Sequence, residues 1–288
     1  MTKINTKHPV TLAETRIAII GLGLMGGSLA MALRGRCRAC FAYDPDSATI
    51  ERALMNQIVD HASNDPVEIL ADIDMVILAA PVMAILDWIA RIPSLLPSPT
   101  IIMDLGSTKT QICDAFETLP PRFDPIGGHP MTGKEKNGLE NAEGSLYHHA
   151  TFALSPLLRT SSHARSIALE IVQVVGSKEL WIDPIIHDRY AAATSHTPYL
   201  ISSALSLATS VEATALSGPG FISTTRLAAS SPSLMIDILS TNQANLLESL
   251  TNFRGQLDRL EILLRENKLV DLETVLKNSA AHVKKFHG

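Results

Sequence analysis

The 288-residue chain is poor in cysteine, aromatic residues and charge, with three cysteines, 5% aromatics and 18% charged residues. Three thiols are too few and odd in number for the disulfide framework of a secreted fold. Cys37 and Cys40 form a C-x-x-C pair, but neither Cys113 nor a paired histidine motif supplies two further ligands at zinc-site spacing. No metal is expected, and the pair reads as small residues entering a strand. Positive charge is also short: 24 Lys and Arg stand against 29 Asp and Glu, a net charge of −5, which argues against nucleic acid as a partner. Long apolar runs are missing too. The first apolar stretch, 17–20, runs straight into glycines, so neither a signal peptide nor a membrane span is expected, and the chain reads as cytoplasmic. No internal repeat or low-complexity tract is visible.

What remains is 46% hydrophobic and long enough to bury a substantial core. Two domains are expected, 1–182 and 183–288. In the first, short apolar runs alternate with amphipathic segments, the pattern of a parallel sheet covered by helices. The strand candidates are 17–20, 39–43, 75–79, 101–105, 151–154 and 179–182. Pro81 stops the third, and Pro93, Pro97 and Pro99 break the chain before the fourth. From Pro184 the strand-like runs vanish and Ala-, Ser- and Leu-rich helical pattern takes over. Near the end, Leu246, Leu250, Phe253, Leu257, Leu260 and Leu264 recur at three- and four-residue steps, an apolar stripe suited to a bundle or a dimer interface. No appended regulatory domain is expected. The predicted fold class is thus α/β, a Rossmann-type dinucleotide-binding domain followed by an all-α domain.

Gly21-Leu22-Gly23-Leu24-Met25-Gly26 follows the first strand and opens a helix, the context that a G-x-G-x-x-G turn needs to bind a pyrophosphate. Asp44 ends the second strand, where a carboxylate accepts hydrogen bonds from ribose hydroxyls and repels a 2′-phosphate, which favours NAD over NADP. A solvent-exposed turn aspartate in Asp44-Pro45-Asp46 is the plain alternative. About a hundred residues on from the fingerprint stands Gly127-Gly128-His129-Pro130-Met131-Thr132-Gly133. His129 is a candidate base in backbone that glycines free, and Ser107 in Gly106-Ser107-Thr108-Lys109 is placed to hold one of its nitrogens. The plain alternative is a surface histidine in a turn. Further on, His196 in Ser195-His196-Thr197-Pro198-Tyr199 is either a pocket residue or a satisfied core histidine. Arg226, after the break at 217–220, either binds an anion or caps a helix.

Together these segments, with Gly127 to Gly138 and Thr225-Arg226-Leu227-Ala228, resemble the prephenate and arogenate dehydrogenase family over nearly the whole chain, and the helix 242–264 resembles that family's dimer-forming region. The resemblance implies NAD-dependent oxidative decarboxylation of prephenate to 4-hydroxyphenylpyruvate in tyrosine biosynthesis, in a homodimer joined through its C-terminal helices. His129 would take the proton of the ring 4-hydroxyl, Ser107 would orient it, and His196 would line the pocket. Arg226 would hold a substrate carboxylate, Leu24, Met25 and Pro81 would join the glycines around NAD, and Lys134, Glu135 and Asn137 would face the substrate side chain. A neutral residue near Asn137 goes with prephenate and an acid there with arogenate in plant members, which favours prephenate. The chain departs from the family pattern in two places: Ser223 stands where an acid is expected, and Tyr199 replaces a second histidine. Three other readings compete: an arogenate dehydrogenase, a non-catalytic NAD sensor, and a β-hydroxyacid dehydrogenase. The last relies on a lysine that the corresponding stretch 188–207 lacks.

Overall fold

The computed structural model describes residues 11–134 and 136–285. By packing, the chain divides into two compact units, 1–242 and 243–288. The change from mixed to all-helical pattern after residue 182 falls inside the first.

Eight strands form one sheet: β1 (Arg16–Ile20), β2 (Ala39–Tyr43), β3 (His61–Ser63), β4 (Met75–Leu78), β5 (Thr100–Asp104), β6 (Phe123–Pro130), β7 (Thr151–Pro156) and β8 (Lys178–Trp181). Their order is β3-β2-β1-β4-β5-β6-β7-β8. All neighbours are parallel except β6 and β7, which are antiparallel, so the sheet is mixed at one edge rather than wholly parallel as the pattern suggested. The helices of the first unit are α1 (Leu24–Leu33), α2 (Ser47–Met55), α3 (Pro66–Leu70), α4 (Val82–Leu95), α5 (Thr110–Glu117), α6 (Ser162–Val174), α7 (Pro184–Ala191), α8 (Thr197–Ala208), α9 (Pro219–Thr225) and α10 (Pro232–Thr241). The second unit holds α11 (Gln243–Arg265) and α12 (Leu269–Val283).

Alternate residues of the central strands feed opposite cores, as the two-residue strand period requires. Ile17, Ile19, Met75 and Ile77 join Leu29 and Leu33 of α1 on one face, while Ala18, Ile20, Val76 and Leu78 join Ile85, Ile89 and Phe116 on the other. Each fully buried Ile or Leu contributes roughly 1.5–3 kcal/mol. Covered on both sides, these strands are apolar throughout, which is why they were visible in the sequence.

Two strands were not. β3 is three residues long and partly exposed. β6 carries Pro125, Gly127, Gly128 and His129, a composition that reads as a loop. The glycines there serve close approach rather than freedom: a Cβ on Gly128 would lie 2.6 Å from the Asp104 carbonyl oxygen, and one on Gly127 3.0 Å from Cys113 Sγ. His129 is therefore fixed in a strand, paired with Ala153 of β7, instead of hanging in a flexible turn. Pro93 also departs from expectation. It lies inside α4, near the C-terminal end, and its carbonyl accepts a 2.6 Å hydrogen bond from Arg122. In the C-terminal part the continuous helical pattern from Leu234 is cut at Asn242 and again at 266–268, where Asn267 takes a positive φ of 52°.

Candidate active site

The chain reverses its direction of travel across the sheet between β1 and β4, and ligands gather at such switch points beyond the carboxyl ends of the strands. A cavity of about 490 Å³ opens there. Its walls come from the turn after β1 (Gly23, Leu24, Met25), the ends of β4 and β5 (Ala79 to Val82, Leu105 to Ser107), His129 and Pro130 of β6, the loop that follows (Thr132 to Lys134, Asn137, Gly138), and the α10 segment with Ser231, Leu234 and Asp237.

The glycine turn fits a dinucleotide on geometric grounds. Gly21 has φ +98°, and a Cβ there would lie 2.6 Å from the Ala79 carbonyl oxygen; a Cβ on Gly26 would lie 1.9 Å from the Gly21 oxygen. These two glycines close the turn. Gly23 is different, since a Cβ there meets nothing within 4 Å. As the N-cap of α1 it offers no side-chain cap, which leaves the first amides of that helix open to an anion in the cavity. Asp44 braces the same turn: Leu22 N donates to one carboxylate oxygen at 2.8 Å and Asp46 N to the other at 3.0 Å. Each oxygen keeps a further lone pair for a ribose hydroxyl. Pro81 caps α4 and lines the cavity.

Beneath the cavity floor lies a buried polar network. Lys109 and Asp104, both fully buried, form an ion pair. Lys109 Nζ also donates to the Gly128 carbonyl at 2.7 Å, while the Gly106 and Gly128 amides donate to the Asp104 carboxylate at 2.7 and 3.1 Å. The loop carrying Ser107 and the strand carrying His129 are thereby tied to one charge pair. Asp188, at the buried side of α7, receives the Lys109 and Thr110 amides at 2.7 and 2.8 Å, so it caps the start of α5. Its other bond is to His187 Nδ1 at 2.8 Å, and His187 Nε2 lies 2.8 Å from His129 Nδ1.

Ser107 and His129 face one cavity, but the ring nitrogen of His129 that binds protein binds His187, not Ser107. The Ser107 bond expected from sequence is absent among the described residues, because the network holds the ring from behind. His196 is only 1% exposed and does not line the cavity. A π-helical turn, Ala192–His196, inserts a residue between α7 and α8 and directs its ring to Asn242, whose Nδ2 lies 3.2 Å from Nδ1. Asn242 Nδ2 also donates to the Asp188 carbonyl at 2.7 Å. Arg226 opens an exposed 3-10 turn after α9, outside the cavity. Lys134 and Asn137 line it; Glu135 lies outside the described residues. Sequence reasoning passed over His187, Asp188 and Asp237. The first two are an adjacent His-Asp pair, whose only signal is polarity within a helix that packs against the α5 start.

Burial drives the His129 pKa well below the ordinary imidazole value, with further push from His187, Lys109 and His196. Burial likewise lowers His196 to about 4, against the pull of Asp188. Both rings are neutral near pH 7. Burial opposes ionisation of Asp188, yet hydrogen bonds from His187, Thr110 and Lys109 outweigh it and hold its pKa below the usual carboxylate value.

A switch-point cavity with a pyrophosphate turn on one wall and a neutral buried histidine on another defines a nicotinamide-dependent dehydrogenase with a helical C-terminal part. Residues 29–180 match the family described as prephenate dehydrogenase, nucleotide-binding domain, and residues 183–278 match prephenate dehydrogenase, dimerization domain. The chain belongs to the prephenate dehydrogenase family. It is 26% identical over 275 residues to the prephenate dehydrogenase of Bacillus subtilis (strain 168), covering 91% of this chain and 74% of that one. It is similar to the crystal structure of prephenate dehydrogenase from A. aeolicus in complex with hydroxyphenyl propionate and NAD+, with 26% identity and a TM-score of 0.87 over 96% of this chain and 99% of that one. Synechocystis arogenate dehydrogenase is 29% identical, with a TM-score of 0.81 over 94% and 99%. No helix among the described residues is long and apolar enough to cross a membrane.

Proposed function

We propose that this chain catalyses the NAD-dependent oxidative decarboxylation of prephenate to 4-hydroxyphenylpyruvate, a step of tyrosine biosynthesis. The observation that carries the reading is a neutral His129, fixed by strand pairing and a buried network, in the same cavity as the open N-terminus of α1. NAD, when bound, supplies the hydride acceptor. Gly21, Gly23 and Gly26 with the Leu24 and Met25 backbone hold its pyrophosphate, Asp44 its ribose, and Pro81 flanks it. His129 takes the proton from the ring 4-hydroxyl as hydride leaves the same carbon, and Ser107 contacts that hydroxyl rather than the histidine. The departing carboxylate leaves as carbon dioxide and the ring becomes aromatic. The protein therefore needs to position the substrate, accept one proton and exclude water.

Prephenate carries two carboxylates. Lys134 lines the cavity and meets one, and Arg226 meets the other from its exposed turn, a reach supported by its place in the segment matched as a dimerization domain. The functional unit is accordingly a homodimer joined through the C-terminal helices. Residues 183–288 act as its substrate and dimerisation part, and 1–182 as its cofactor part. Three free thiols fit a cytoplasmic enzyme. His196 supports α7 and Asn242 rather than touching substrate.

Asn137 is neutral and lines the cavity, which suits a keto-acid side chain. One observation favours arogenate as a second substrate: Asp237 is the one acid lining the cavity among the described residues, and it can meet an ammonium group. Initial rates of reduced-nucleotide formation with prephenate and arogenate, each with NAD and NADP, test both readings. A higher kcat/KM for prephenate with NAD supports the proposal. Arogenate preference that reverses in Asp237→Asn transfers specificity to Asp237, and no turnover with any pair rejects the reading.

A further inference from the structure

The buried pair His187–Asp188 lies behind the proposed base, on an element that contributes no wall to the cavity. Asp188 also ties α7 to the start of α5, but the His187 ring bonds only Asp188 and His129 among the described residues. Its geometry nevertheless forms an unbroken line: Asp188 Oδ1 to His187 Nδ1 at 2.8 Å, then His187 Nε2 to His129 Nδ1 at 2.8 Å.

We infer that Asp188 and His187 fix the tautomer of His129 and receive the positive charge that catalysis creates. This rests on the dehydrogenase reading above. Asp188 already accepts two backbone amides, so its carboxylate is the acceptor end of the line and His187 Nδ1 carries the proton. In neutral His187, Nε2 is then a lone pair, and it can only accept, so His129 Nδ1 donates. The other ring nitrogen, Nε2, has no hydrogen-bond partner among the described residues and is left to the cavity with its lone pair. That is the state a base requires.

The substrate O–H bond breaks and a bond from that proton to His129 Nε2 forms, while the His129 Nδ1–H bond breaks and its proton binds His187 Nε2. His129 ends neutral, with its proton now on Nε2. His187 ends as the cation, in contact with the Asp188 carboxylate. Without the second transfer the cation would remain on His129, where burial and the Lys109 charge oppose it. Once the product has left, the same two transfers run backward and one proton passes to water. His187 touches neither substrate nor cofactor and is a positioning residue.

Among the described residues, the charged and titratable groups around this line include Lys109 and Asp104 from the β5 end, Cys113 of α5, His196 from the π-helical turn, and Asp188 itself. Among them only Asp188 is an anion in direct contact with His187.

The test has two readouts. In the protein without ligands, nitrogen-15 NMR of labelled histidines is expected to show His129 protonated at Nδ1, changing to a mixture of tautomers in His187→Gln. A wild-type His129 protonated at Nε2 overturns the inference without any variant. In turnover with prephenate and NAD, His187→Gln is expected to lose about a hundredfold in kcat, with KM and NAD affinity within threefold of wild type. The solvent-isotope proton inventory on kcat is expected to change from a two-proton curve to a straight line. A variant within threefold of wild-type kcat, or a straight line in both proteins, also overturns it. Absence of turnover in the wild type would instead reject the underlying enzyme reading, and the NMR result would still decide the tautomer.

Discussion

At Gly23 an added Cβ meets nothing within 4 Å, whereas at Gly26 it would lie 1.9 Å from a backbone oxygen. The two glycines of one motif therefore do different work, and substitution separates them. Gly23→Ala is expected to keep the melting temperature within about 2 °C while NAD affinity, measured by titration calorimetry, falls at least tenfold. Gly26→Ala is expected to lose both affinity and about 1–3 kcal/mol of stability by urea unfolding, the usual cost of overpacking. Equal losses at both positions would contradict this division. The cations offer a second comparison. Lys134→Ala and Arg226→Ala are expected to raise KM for prephenate more than they lower kcat, because the role proposed for both is binding. A collapse of kcat at saturating substrate with KM unchanged would remove either from that role. The turn glycines, Asp44 and His129 stood out in the sequence as candidates, because residues of those types have a recognisable chemical use. His187 and Asp188 were not, because their meaning lies in a contact across 58 residues to His129.

At the scale of elements, the β5–α5 loop and β6 share the Asp104–Lys109 pair. Removing one charge of a buried pair leaves the other uncompensated, at a typical cost of about 3–5 kcal/mol. Lys109→Met is expected to show a loss of that order by chemical denaturation, and Lys109→Met with Asp104→Leu a smaller one. A single variant as stable as wild type would mean that the pair is not what joins these elements. The doubly covered strands β1, β2, β4 and β5 were readable from apolar runs. β6 was hidden because two glycines, required by close packing, and two prolines erase strand pattern at the place where His129 sits.

For the whole molecule, two neutral buried histidines set an acid limit. The folded pKa of His196 is about 4 against 6.5 for the free group, and His129 shifts in the same direction. Between those values the unfolded chain binds more protons than the folded one, so stability is lost as pH falls from 6.5 toward 4, by about 1.4 kcal/mol per pH unit for each histidine. Asp188, shifted down, adds its loss only below the ordinary carboxylate range. Denaturation midpoints across this window are expected to slope accordingly and to flatten by one group in His196→Asn; a flat wild-type profile would contradict the burial. The α/β-then-helical order was readable from the change of pattern after residue 182. The packing boundary after Asn242 was not, because α7 to α10 carry helical pattern yet pack with the sheet unit. The most direct test compares wild type and His129→Gln on prephenate with NAD. A kcat lower by about a thousandfold with NAD affinity within twofold is expected, and a variant within threefold of wild-type kcat would contradict the role proposed for His129.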